Sequence, residues 1–74
     1  VRKRSVTIRG HRTSISLEQE FFDELAALAG SRGIAFAALV AEIDSTRPRS
    51  TNLSSALRLF VLTEYKRRSA LLTD

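Results

Sequence analysis

Three side chains spaced two residues apart, Arg12, Ser14 and Ser16, are the part of this sequence best suited to chemistry, and that chemistry is recognition rather than catalysis. On an extended backbone they share one face. An arginine presents a planar fork of donors, while a serine hydroxyl both donates and accepts. Catalytic groups are poorly supplied. His11 is the single histidine and the only candidate general base, and neither a cysteine nucleophile nor a glycine-rich phosphate loop accompanies it. A serine hydrolase needs a base and an orienting acid around an exposed serine. Sequence spacing does not bring Ser14, Ser16, His11 and Asp23 together, so no catalytic residue is assigned. One histidine without cysteine also excludes a zinc site of the usual nitrogen and sulfur ligands, and no metal or cofactor is expected.

The elements that must position these residues follow from hydrophobic spacing. Residues 12–17 alternate, with Thr13, Ile15 and Leu17 on one face and Arg12, Ser14 and Ser16 on the other, which predicts a short β-strand. Val6-Thr7-Ile8-Arg9 also alternates, but its apolar residues are even-numbered, so a straight strand cannot bury both sets together. Gly10 tolerates a kink, and a break near Gly10 and His11 is expected, leaving residues 1–11 as a basic N-terminal arm. A lone strand of six residues cannot satisfy its own ladder, and no second strong strand follows. Pairing with the same strand of another copy is the expected solution.

The rest reads as helix. Leu17, Phe21, Leu25 and Leu28 recur at helical spacing up to a stop at Gly33, which predicts a helix over about 19–32, its acids gathered in the first turns where the helix dipole favours them. Phe36, Leu39, Val40 and Ile43 predict a second helix over about 35–46. Pro48 interrupts the pattern in a basic loop, and Asn52 caps a third helix over about 53–68, with Leu53, Leu57, Phe60, Val61 and Tyr65 on one stripe. Leu59 and Leu62 lie off that stripe, which suits a helix buried in an intertwined dimer. Residues 69–74 are expected to form a tail, and neither an internal repeat nor a low-complexity segment is found.

At 74 residues, 43% of them hydrophobic, the chain suffices for one small domain stabilised by packing alone. A domain near 60 residues buries only about 60% of its unfolded surface, which again favours a twofold homodimer. No run of 18 or more apolar residues and no continuous apolar stretch after the basic start occurs, so a soluble protein of the cytoplasm, without a membrane partner, is expected. With no methionine present, short terminal pieces are expected to lie outside this sequence. Charge is uneven. Residues 1–17 carry Arg2, Lys3, Arg4, Arg9 and Arg12 and no acid, residues 18–31 carry four acids and no base, and residues 32–74 carry seven basic and four acidic groups.

The string Arg12-Thr-Ser-Ile-Ser-Leu17 leading into an amphipathic helix, and Arg32-Gly-Ile-Ala-Phe leading into the next, resembles the ribbon-helix-helix DNA-binding proteins. The further strings Lys3-Arg-Ser-Val-Thr-Ile-Arg-Gly-His-Arg-Thr-Ser-Ile-Ser-Leu-Glu, Ala38-Leu-Val-Ala-Glu-Ile-Asp and Asn52-Leu-Ser-Ser-Ala-Leu-Arg are similar to a bacterial branch of that superfamily with a third helix. The resemblance implies a mainly α fold with one short N-terminal strand, built as an intertwined homodimer around an intersubunit antiparallel β-ribbon. It further implies a transcriptional regulator whose ribbon enters the major groove of double-stranded DNA, with Arg12, Ser14 and Ser16 meeting base edges. The family's phosphate clamp at the start of the second helix maps onto Ala35, Phe36 and Ala37. The family often has a hydroxyl at that cap and Ala35 has none, so only main-chain donors remain, supplemented by Arg2, Lys3, Arg4 and Arg9. The opening Leu53-Ser-Ser-Ala-Leu-Arg resembles the clamping helix too, which leaves the choice between second and third helix open. Arg47, Arg49, Lys66, Arg67 and Arg68 are read as solvated surface. The alternative function is a homodimeric protein-interaction or antitoxin-type module, although little chain remains after the third helix to wrap a toxin.

Overall fold

Arg9 and Gly10 both adopt the left-handed backbone conformation, with φ of 51° and 79°, and this pair sets the architecture of the front of the chain. Two consecutive residues at positive φ make the two-residue hairpin turn whose twist matches that of the strands it joins. In the computed structural model, which describes residues 1–72, the turn connects strand β1 (Arg2–Ile8) to strand β2 (His11–Leu17). The strands are antiparallel in the register Arg2↔Leu17, Arg4↔Ile15, Val6↔Thr13 and Ile8↔His11, with Lys3↔Ser16, Ser5↔Ser14 and Thr7↔Arg12 between.

That register explains the conflict of parity along the basic segment. A strand that folds back through a two-residue turn sets even-numbered residues opposite odd-numbered ones, so Val6 and Ile8 share a face with Thr13, Ile15 and Leu17 without any bulge. Two expectations change. Residues 1–11 are a strand and a turn rather than an arm, and β2 finds its ladder partner in β1 of the same chain rather than in a second copy. With its ladder filled by β1, β2 does not require a second copy to complete its backbone hydrogen bonding.

Three helices follow the hairpin: α1 (Gln19–Arg32), α2 (Phe36–Thr46) and α3 (Leu53–Leu72). The end of α1 is set by Gly33 at φ 69°, where Ile34 donates its N–H back to the Ala29 carbonyl at 3.0 Å, a closure that needs the left-handed residue. Asn52 caps α3 through Oδ1, which accepts the Ser55 N–H at 2.9 Å. The third helix outruns its expected end: residues 69–72 of the expected tail are helical, while residues 73–74 lie outside the described residues.

The hairpin lays its apolar face on the helices. Ile15 and Leu17 are fully buried with Leu25 of α1, Leu39 and Val40 of α2 and Leu57 of α3, in one continuous core. Such burial contributes about 1.5–3 kcal/mol per large side chain. At its rim, Arg32 ties the end of α1 to α3, with a 3.0 Å contact to Glu64 and its guanidinium 5.4 Å from the Phe60 ring centroid. Along α3, Leu57 and Val61 are buried as the stripe predicts. Tyr65 is 64% exposed, and Leu59 and Leu62 are 56% and 48% exposed, so the off-stripe leucines face solvent in the single chain.

Candidate nucleic-acid interface

One face of the hairpin is the core; the other is built entirely from cations and hydroxyls. Its rungs are Lys3 with Ser16, Ser5 with Ser14, and Thr7 with Arg12. Neither an acid nor an apolar side chain interrupts it. Five of the six residues are exposed and Ser16 is half-buried. The Lys3 and Arg12 side chains make no hydrogen bond, ion pair or ring contact among the described residues, so both cations remain available. Arg12, Ser14 and Ser16 thus share the outward face that their spacing predicts. Lys3, expected as a phosphate contact, joins them on this face, together with Ser5 and Thr7, which sequence spacing alone passed over. The signal was the parity switch across Arg9-Gly10, which marks a hairpin rather than a kink.

The far edge of β2 is held by α3. Ser16 donates its backbone N–H to Ser54 Oγ at 3.1 Å, and its carbonyl accepts from the Arg58 guanidinium at 3.2 Å. Arg58 also binds Glu18 at 3.1 Å. The Glu18 carboxyl is consequently held below the ordinary carboxylate range, first by hydrogen bonding to backbone at its own position and then by Arg58. In an antiparallel ladder alternate residues aim their backbone groups outward, so Ser14 and Arg12 point theirs the same way as Ser16. Between this edge and the α2–α3 loop lies an open cleft of about 690 Å³, lined by serines together with Arg47, Arg49 and Arg58. Arg47 is tied down by Asp44 at 2.7 Å and by the Thr51 carbonyl at 2.6 Å, whereas Arg49 makes no such contact among the described residues.

The remaining basic residues of the front segment are scattered by the register. Arg2 and Arg4 alternate onto the helix-facing side. The Arg4 guanidinium lies 5.1 Å from the Phe22 ring centroid and 6.0 Å from that of Phe36, covering an aromatic pair at 6.4 Å. Arg9 sits in the turn and reaches the Ala41 carbonyl at 3.4 Å. At the start of α2, Ala35 is the N-cap, without a side-chain cap bond, and no acid occupies the first turn. Phe36, its ring beneath Arg4, and Ala37 are half-buried. His11 stands exposed opposite Ile8 beside the turn. Among the described residues no group of three or more His, Cys, Asp or Glu is arranged to hold a metal ion.

A strand hairpin followed by three helices, with a polar ribbon face, is the pattern of a known family, whose model, described as a ribbon-helix-helix domain, matches residues 1–65. The chain belongs to the ribbon-helix-helix domain family. The match begins at β1 and runs well into α3, so the third helix is part of the family pattern. Ribbon-helix-helix domains in general are non-enzymatic DNA-binding modules of regulators. No curated protein and no solved structure matches the chain.

Proposed function

We propose that this protein is a sequence-specific transcriptional regulator of the cytoplasm that lays its two-stranded ribbon in the major groove of double-stranded DNA. The observation that carries this reading is the ribbon face itself, six cationic or hydroxyl side chains without an acid among them. A two-stranded ribbon fits the major groove, where each base pair presents a distinct pattern of donors and acceptors. Arg12 suits guanine O6 and N7, and Ser14 and Ser16 contact base edges with less discrimination. Phosphates are met by Arg9 at the turn, by Arg2 and Arg4 at the hairpin's open end, and by the main-chain amides of Ala35, Phe36 and Ala37. Lys3, on the outward face, reaches either phosphates or bases. A gel shift on mixed duplex fragments across a salt series tests the reading. Sequence-selective binding that weakens steeply with salt and loses selectivity at one base position on Arg12→Ala is the expected result; absence of binding at low salt contradicts it.

A homodimeric protein-interaction module is the second reading, and the exposed Leu59, Leu62 and Tyr65 on α3 favour it. Sedimentation equilibrium of the chain alone and with duplex DNA at low salt distinguishes the two. Tight dimers with no affinity for duplex DNA at low salt support the interaction module.

A further inference from the structure

The two strands of the hairpin repeat one another. Lys3-Arg-Ser-Val-Thr-Ile8 and Arg12-Thr-Ser-Ile-Ser-Leu17 align at an offset of nine, with cation on cation, Ser5 on Ser14, Val6 on Ile15, Thr7 on Ser16 and Ile8 on Leu17. The repeat spans only six residues, too short to stand out as a repeated element, but the register gives it a geometric meaning. An approximate twofold axis through the Ser5↔Ser14 rung carries Lys3 onto Arg12 and Thr7 onto Ser16.

The helices obey the same relation. Phe36, Leu39, Val40 and Ile43 of α2 match Leu53, Ala56, Leu57 and Phe60 of α3 at an offset of seventeen. The packing follows, with α2 against β1 and α3 against β2. Two contacts join corresponding positions under these offsets, with different chemistry: Arg9 donates to the Ala41 carbonyl on one side, and Arg58 donates to the Glu18 carboxylate on the other. The sequence repeat, the packing and these contacts all place one approximate dyad at the centre of the ribbon.

We infer that a single chain carries both halves of the base-reading ribbon, with Lys3, Ser5 and Thr7 of β1 reading one arm of a short inverted repeat in duplex DNA and Arg12, Ser14 and Ser16 reading the other. The inference rests on the DNA-binding reading above and adds to it the source of the second strand and the symmetry of the site. Lys3 and Arg12 lie four residues apart in register on opposite strands, about 13 Å along the ribbon at roughly 3.3 Å per residue. That spans about four base pairs at roughly 3.4 Å each. Lysine and arginine both suit guanine O6 and N7, so the two arms share a chemical preference. Pairing β2 with the β2 of another copy is disfavoured by the same geometry, because Ser54 and Arg58 occupy the outward backbone groups of Ser16.

Selection from a random duplex pool with wild type, Lys3→Ala, Thr7→Ala and Arg12→Ala tests the proposal. Wild type is expected to select a short inverted repeat. Lys3→Ala then relaxes one arm and Arg12→Ala the other, each by roughly 5- to 150-fold in preference at one position. Lys3→Ala that weakens all sequences equally, with the selected site unchanged, overturns the role of β1. A second arm uses the absence of native cysteine. In the double variant Val6→Cys/Thr13→Cys, a half-buried rung on the helix-facing side with Cα atoms about 5.5 Å apart brings the two thiols within disulfide reach and leaves the reading face unaltered. Oxidised and reduced forms present the same outward side chains, so equal DNA affinity is expected if one hairpin is the reader. Loss of affinity on oxidation shows that the ribbon must be rebuilt from two chains and overturns the inference, leaving DNA binding by the reduced form intact. A wild-type chain that selects no sequence removes the DNA-binding reading and this inference together.

Discussion

Arg9 is the residue whose backbone is most at odds with its type. A left-handed conformation costs an ordinary L-residue about 1–2 kcal/mol, and asparagine tolerates it better because its short side chain bonds locally. Arg9→Asn is therefore expected to stabilise the hairpin by about 0.5–1 kcal/mol, read as a higher Tm in thermal unfolding. Gly10→Ala, at φ 79°, is expected to lower stability by about 1 kcal/mol or more in the same experiment. Arg12 has the opposite character: among the described residues its side chain makes no hydrogen bond, ion pair or ring contact. Arg12→Ala is expected to leave the Tm unchanged within about 0.5 kcal/mol while costing about 1–3 kcal/mol of binding at a cognate base, measured by anisotropy titration. At this scale the sequence was informative where period-two spacing sufficed, as for Arg12, Ser14 and Ser16. It was silent on Arg4, because the stacking over Phe22 and Phe36 joins residues far apart in the chain.

Among the elements, the helices were legible and the strands only half so. The bounds of α1 and the Asn52 cap of α3 follow from an apolar stripe, a stop glycine and a capping amide, all of which act within a few residues. β1 escaped because Arg-Gly is a weak turn signal beside Asn-Gly, so its parity switch read as a kink. The clasp of Glu18, Arg58 and Ser54 on β2 was not readable either, since its partners lie about forty residues apart. It makes a testable pH dependence. The folded-state pKa of Glu18 is lowered, so its contribution is fully present above the unfolded value and is lost as pH falls through the folded one. From about pH 5 downward, wild type is expected to lose stability more steeply than Glu18→Gln, as followed by chemical denaturation at a series of pH values. Parallel pH profiles for the two proteins contradict the assignment. Deeper in the same elements, Leu17→Ala is expected to cost about 2–5 kcal/mol, because the side chain is fully buried where the hairpin meets the helices.

For the whole molecule, the apolar pattern assembled one core in the way the sequence suggested, and the surface it left over carries the functional question. Two surfaces compete. The ribbon face offers free cations and hydroxyls, while the outer side of α3 offers Leu59, Leu62 and Tyr65. The net charge of +4, with five basic groups and no acid in the first seventeen residues, favours a polyanion at the ribbon. Removing one cation from a phosphate should reduce the slope of log affinity against log salt by about 0.9, which gives Arg9→Asn a second readout besides stability. The most direct test is amide chemical-shift mapping of the full chain on titration with duplex DNA, for which 74 residues are well suited. The largest shifts are predicted at Lys3, Ser5, Thr7, Arg12, Ser14 and Ser16, with the outer residues of α3 unmoved. Shifts confined to Leu59, Leu62 and Tyr65, or none at any DNA concentration at low salt, contradict the account.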